Sequence, residues 1–178
     1  MTTTASGFCT SAPVPVASAI VAGSCSKATL EQLAIAEKSM PVLRLDTDAL
    51  MQGDAEISRA LAWAGERIAQ GPLAIAASAA PDAVARVQAK YGRDAAGHAI
   101  EQATSRIATE LVSRGVKRLV IAGGETSGAA VDRLQIPAFL VGPEIAPGVP
   151  VLRTVGGPHG ALQLALLRRW SGLPALTS

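Results

Sequence analysis

The sequence predicts a single α/β domain: a three-layer α/β/α arrangement around a largely parallel sheet. Short apolar runs of Val, Ile, Leu and Ala alternate with stretches of helical period, the mark of strand–helix–strand units. Gly and Pro punctuate the boundaries between them. No linker divides the 178 residues into two core-forming halves, and the length suits one domain.

The elements follow in order. Residues 1–15 are rich in Thr, Ser and Pro and read as an irregular lead-in. Val16 to Ala22 is an apolar run stopped by Gly23, consistent with a buried strand. Thr29-Leu30-Glu31-Gln32 has the T-x-x-Q form of a capping box, so a helix is expected from there to about Ser39. Pro41 to Leu45 is the second strand. An amphipathic helix covers 54–70, with Ile57, Leu61, Ala64 and Ile68 on one face, and Gly71-Pro72 ends it. Leu73 to Ala77 is the third strand. Pro81 opens a short helix, where a missing N–H costs least. A longer helix spans about 95–114 and stops at Gly115. Val116 to Ala122 is the fourth strand, and Gly123 to Gly128 reads as a tight loop leading into a helix to about Leu134. Pro137 to Val141 is the fifth strand. The stretch 142–160 is dense in Gly and Pro and reads as loop with room for one short strand, whereas 161–170 suits a strand by alternation and a helix by composition.

Composition narrows the function. Hydrophobic residues make up 49% and charged residues 17%, which excludes global disorder. Aromatic residues are 3%, too few for a single-strand nucleic-acid stacking platform. Sixteen Lys and Arg against 14 Asp and Glu form no basic stripe, so no nucleic-acid partner is expected. No apolar run reaches the roughly 20 residues of a membrane span. Two cysteines, Cys9 and Cys25, do not make a secreted disulfide framework. The Thr-rich start has no basic n-region, so a cytoplasmic location is the expectation. Two histidines without a Cys cluster give no metal site. Nothing in the sequence speaks to oligomeric state.

Two places share the order strand, small-residue turn, helix: VAGSCSKATLEQ at 21–32 and VIAGGETSGAAV at 120–131. In a parallel sheet, ligands collect beyond the carboxyl ends of the strands. Helix N-termini there offer free N–H groups and the positive end of the helix dipole to a phosphate. Gly23, Gly123 and Gly124 permit close backbone approach, while Ser24, Ser26, Thr126 and Ser127 add hydroxyls. A carboxylate such as Glu125 beside a phosphate suits Mg²⁺, often through water, or a sugar hydroxyl. Neither turn is a G-x-x-x-x-G-K-[ST] loop or a G-x-G-x-x-G turn, so spacing alone says "anion or nucleotide". Cys25 lacks the glycine of a nucleophile elbow, Lys27 standing there, and reads as a small buried thiol. His98 and Glu101, at i and i+3, read as a helix-surface pair; His159 lies in a GGPHG loop.

Taken together, GSCSKATLEQ at 23–32, AGGETSG at 122–128 and GPEIAPGVP at 142–150 resemble the nucleotide-binding C-terminal domain of the four-carbon acid sugar kinase family. Order and spacing match over 16–167. Members of that family phosphorylate small sugar acids with ATP. Their C-terminal domain holds the nucleotide and their N-terminal domain the sugar acid. The resemblance implies a nucleotide site at Gly23, Ser24, Ser26, Gly123, Gly124, Glu125 and Thr126, with ATP and accompanying Mg²⁺ as cofactors; it assigns no catalytic residue here. There are departures. No sugar-acid domain is expected within this length. Leu167-Arg168-Arg169-Trp170-Ser171-Gly172 stands where the family has Lys-Ser-Gly-Asn-Phe-Gly, and Ala22 where many members have Ser. The expected organisation is a lead-in (1–15), a nucleotide-binding domain (16–167) and a divergent tail (168–178).

The expected function is the ATP-holding half of a sugar-acid kinase, inactive without a domain that brings the acceptor hydroxyl. Two alternatives stay open: a subunit that docks with a separately encoded sugar-acid domain, and a degenerate domain that keeps the fold but has lost the nucleotide.

Overall fold

The apolar runs become strands that lie almost wholly out of water. The structure, a computed structural model, describes residues 16–79 and 81–167; the lead-in (1–15) and the divergent tail (168–178) lie outside the described residues. In chain order the elements are β1 (Ser18–Ala22), α1 (Lys27–Ala36), β2 (Val42–Arg44), α2 (Thr47–Leu50), α3 (Ala55–Gly65), β3 (Leu73–Ala76) and α4 (Pro81–Tyr91). There follow α5 (Arg93–Ser113), β4 (Arg118–Ala122), α6 (Gly124–Arg133), β5 (Ala138–Ala146), β6 (Val149–Val155) and β7 (Gln163–Leu167).

The seven strands form one sheet in the order β2-β3-β1-β4-β7-β6-β5. The pairs β2–β3, β3–β1, β1–β4 and β4–β7 are parallel, and β6 runs antiparallel to both β7 and β5. The register aligns Ala76, Ala22, Ala122 and Leu167 as one row across the carboxyl edge of the sheet.

Alternation sorts the strand side chains into two cores. Val21, Ile75, Leu119, Ile121 and Leu164 face α3, α5 and α6 through Ile57, Ile107, Leu111 and Leu134. On the opposite face stand Ile20, Ala22, Ala74, Ala76, Val120 and Ala122, with Leu33 of α1 packed on them. Large side chains meet the helical layer on one face, and small ones let α1 approach closely on the other. Burying Leu111 or Ile121 contributes about 1.5–3 kcal/mol each.

Several expectations need correction. The cap of α1 is Ser26, not Thr29: Ser26 has extended backbone, and its Oγ accepts from Thr29 N at 3.2 Å. Thr29 is buried inside the helix. The expected helix over 54–70 ends at Gly65, and the helix expected from 95 begins at Arg93. The tight loop expected over Gly123–Gly128 is instead the first turns of a helix, since α6 begins at Gly124. The Gly- and Pro-rich stretch after Val141 is largely hairpin. Pro147 and Gly148 (φ +74°) make its two-residue turn, and register shifts between Val141 and Glu144 absorb Gly142-Pro143. Proline is tolerated because β5 is the outer strand and its free edge needs no donor. Residues 163–167 are strand; 168–170 of that ambiguous stretch lie outside the described residues.

One buried carboxylate ties the β2 end of the sheet to the helices. Glu56, in the first turn of α3, accepts from Asp46 N at 2.7 Å and from Arg59 Nε and Nη2 at 2.7 and 2.6 Å. Asp46 in turn caps α2. The Arg59 guanidinium holds the Glu56 carboxyl below its ordinary 4.5, against the opposing effect of burial and with help from the Asp46 N–H. A folded-state value below the unfolded one means that the stabilisation is complete above pH 4.5 and lost as pH falls through the folded value. Glu56→Gln is expected to destabilise by about 1–2 kcal/mol at neutral pH. Denaturant unfolding should show the gap between the native chain and this variant closing in acid; an equal gap at neutral and acid pH would contradict the assignment.

Candidate functional site

The site begins where the chain leaves the sheet in two directions. After β1 it turns to the α1 face; after β4 it turns to the α6 face. Such a divergence between adjacent parallel strands opens a crevice at their carboxyl ends, where open α/β sheets take their ligands. Backbone hydrogen bonds hold the two exits together: Gly23 N donates to Ala122 O at 3.0 Å, and Gly123 N to Leu167 O at 2.8 Å.

The exits touch. A Cβ placed on Gly23 would stand 2.1 Å from Thr126 Oγ1, so the β1 turn and the first turn of α6 pass at a distance that only glycine permits. Gly123 has φ +129° and ψ 130°, a backbone that L side chains rarely adopt. A Cβ there would lie 3.1 Å from Thr126 Oγ1 and 3.4 Å from Ser24 N. No side chain caps α6, so its leading N–H groups and the positive end of its dipole are left for another partner.

A cavity of about 950 Å³ opens over this junction. Gly23, Ser24, Gly123, Gly124, Glu125 and Thr126 all line it. Thr126 is only 5% exposed, whereas Gly124 and Glu125 are exposed at the rim. Ser26 does not line it; its hydroxyl caps α1 and bonds Thr29 Oγ1 at 2.9 Å. Ser24 Oγ accepts from Ser26 N at 3.3 Å, and the Ser78 hydroxyl, from the turn after β3, donates to Ser24 O. Ser127 is also turned away: its Oγ is buried without a partner among the described residues. Cys25, expected as a buried thiol, is instead only half-buried and lines the cavity, its sulfur 3.9 Å from Ala77 O.

The far wall went unread in the sequence. It comes from α4 and α5, with Val84, Val87, Gln88, Arg93, Gly97 and Ile100 among its residues; Thr47 of α2 adds a hydroxyl. Arg93 is the one Lys or Arg among the lining residues, set against the carboxylates of Asp94, Glu101 and Glu125. His98 and Glu101, expected as a plain surface pair, both belong to this wall. The available signal was Gly97, a glycine inside a helical pattern, which often marks packing or function.

A parallel α/β domain with glycine turns at adjacent strand ends, an uncapped helix and a roomy crevice has the geometry in which such folds take nucleotides and other anions. The family follows from sequence comparison: the chain belongs to the nucleotide-binding C-terminal domain family, whose model matches residues 19–167. Among its relatives, a 3-oxo-tetronate kinase of Methylobacterium radiotolerans is 61% identical over 158 residues, covering 89% of this chain and 37% of that protein. A 3-oxo-tetronate kinase of Cupriavidus necator is 44% identical over 149 residues, covering 82% and 33%. The chain thus spans about a third of the length of these curated relatives. A crystal structure of a Haemophilus influenzae protein matches with TM-score 0.78 and 31% identity over 86% of this chain and 37% of that one. One from Salmonella typhimurium LT2 matches with TM-score 0.75 and 31% identity, covering 90% and 39%. Among the described residues, no helix is long and apolar enough to cross a membrane.

Proposed function

We propose that residues 16–167 form the ATP-holding domain of a sugar-acid kinase of the 3-oxo-tetronate kinase kind, and that the cavity over β1 and β4 is its nucleotide site. One observation carries the reading: the β1 turn and the start of α6 meet at Gly23, Gly123 and Thr126 beside an uncapped helix N-terminus. The residues fit the group. A side chain on Gly23 would collide with Thr126 and one on Gly123 would crowd it, both filling the cradle, and the volume suits a nucleotide. Gly23, Ser24, Gly123, Gly124, Glu125 and Thr126 would hold the phosphates through backbone N–H and hydroxyl groups, and Ser26 would hold the β1 turn by capping α1. When bound, the nucleotide supplies the phosphoryl group for transfer.

Glu125, exposed at the rim, is placed to receive a Mg²⁺ that arrives with the phosphates, through water or directly. Arg93, on the opposite wall, offsets the phosphate charge. These residues bind and orient one reactant only. Phosphoryl transfer depends on positioning both reactants, so we assign the acceptor hydroxyl of the sugar acid to another domain. Leu140, Val141 and Val155, 59%, 73% and 45% exposed on the β5–β6 hairpin, give such a domain an apolar surface to pack on.

Calorimetric titration of the 178-residue chain with ATP and Mg²⁺ tests the reading. Saturable binding is expected below millimolar ligand, with no sugar-acid phosphorylation by these residues alone. Heat equal to buffer dilution up to millimolar ATP would reject the nucleotide site and favour the degenerate alternative. Turnover on a sugar acid without an added domain would reject the division of labour.

A further inference from the structure

The cavity is much larger than a phosphate needs, and its α4–α5 wall differs in chemistry from the strand-end wall. Val84 and Val87 of α4 and Ala96 and Ile100 of α5 present apolar surface, Val87 and Ala96 being buried beneath it. Gly97 lies among them, in the second turn of the 21-residue α5.

That glycine has no structural explanation within the chain. Glycine is the least favourable helix-interior residue after proline. A Cβ on Gly97 would meet no atom within 4 Å, and its backbone is ordinary helix, so neither crowding nor an unusual dihedral angle requires it. What the missing methyl leaves is bare backbone open to the cavity, flanked by aliphatic side chains. Such a strip lets a flat ring lie against the helix. Gln88 and Glu101 line the same wall and offer hydrogen-bonding groups to the edge of a ring.

We propose that this wall is the nucleoside subsite of the cavity, with Gly97 as the platform under the purine base. The proposal rests on the nucleotide reading above, which places the phosphates at the strand ends. The base is held chiefly by aliphatic and backbone contact, since no Phe, Tyr or Trp is among the lining residues and His98 is the one aromatic ring on that wall.

The test uses the chain with two ligands, ATP and inorganic tripolyphosphate, each with Mg²⁺. The native chain should bind ATP at least about tenfold more tightly, because only ATP brings a base to the wall. Gly97→Ala should weaken ATP about tenfold and leave tripolyphosphate unchanged. The same substitution should raise the melting temperature by about 2–4 °C, because alanine favours the helix. Lower affinity in a more stable protein is the signature of a methyl standing where the ring lies. Equal affinities of the native chain for the two ligands would overturn the subsite while leaving the phosphate site standing. Unchanged ATP affinity in Gly97→Ala, or equal weakening of both ligands, would also overturn it. If the native chain bound neither ligand, the nucleotide reading itself would fall and the subsite with it.

Discussion

Gly23→Ala is expected to destabilise the domain by about 2–3 kcal/mol, the range of overpacking in a tight interior. In a domain of this size that lowers the melting temperature by roughly 5–10 °C. The added methyl would stand 2.1 Å from Thr126 Oγ1, with Thr126 Cβ and Cγ2 at 3.3 and 3.4 Å. Rotation about χ1 gives only partial relief: two of the three rotamers keep a heavy atom facing the methyl, and the third still leaves Thr126 Cβ 3.3 Å away. Thr126 is 5% exposed in the first turn of α6, and Gly23 is tied to Ala122 O. The remaining relief comes from parting the two strand exits, which also widens the proposed phosphate cradle. Thermal unfolding reads the stability and ATP titration the cradle; an alanine variant that melts with the native chain would refute the close contact. A Thr126→Ala background should return most of the loss, because it removes the Oγ1 atom.

How far this site could be read from sequence follows from which contacts are local. Strands, their order of appearance and the two glycine turns are written in short stretches, since apolar runs and small-residue breaks act over a few residues. Gly23 and Thr126 are about a hundred positions apart, and their meeting depends on β1 lying beside β4, with Ala22 aligned on Ala122. The α4–α5 wall was missed for the same reason: nothing near Arg93 or Gly97 shows that this helix surface turns toward the strand ends. Ser26 shows the reverse limit. In isolation, a hydroxyl in a phosphate-like turn looks the same as an N-cap, and only its 3.2 Å bond from Thr29 N decides its role. The hairpin over 138–155 was hidden by Gly142, Pro143, Pro147 and Gly148, residues that break interior strands but suit a bulged outer pair.

The second large effect falls on ligand binding. Gly123→Ala is expected to weaken ATP by a hundredfold or more, about 3 kcal/mol, and to cost the fold about 1–3 kcal/mol of backbone strain. Gly123 precedes the first residue of α6, and its φ of +129° sets the direction from which the uncapped N–H groups emerge. Alanine would relax this backbone toward negative φ, turning those donors and swinging Gly124 and Glu125 at the cavity rim. Steric contact adds to the strain, with Thr126 Oγ1 at 3.1 Å and Ser24 N at 3.4 Å from the new Cβ. The two glycines can be told apart by one shared background. Thr126→Ala should rescue the stability of Gly23→Ala, whose fault is a collision, and leave Gly123→Ala weak in binding, whose fault is a dihedral angle. Calorimetry on the four combinations measures both effects. Rescue of ATP binding in Gly123→Ala by Thr126→Ala would show that crowding, not the left-handed backbone, governs the cradle.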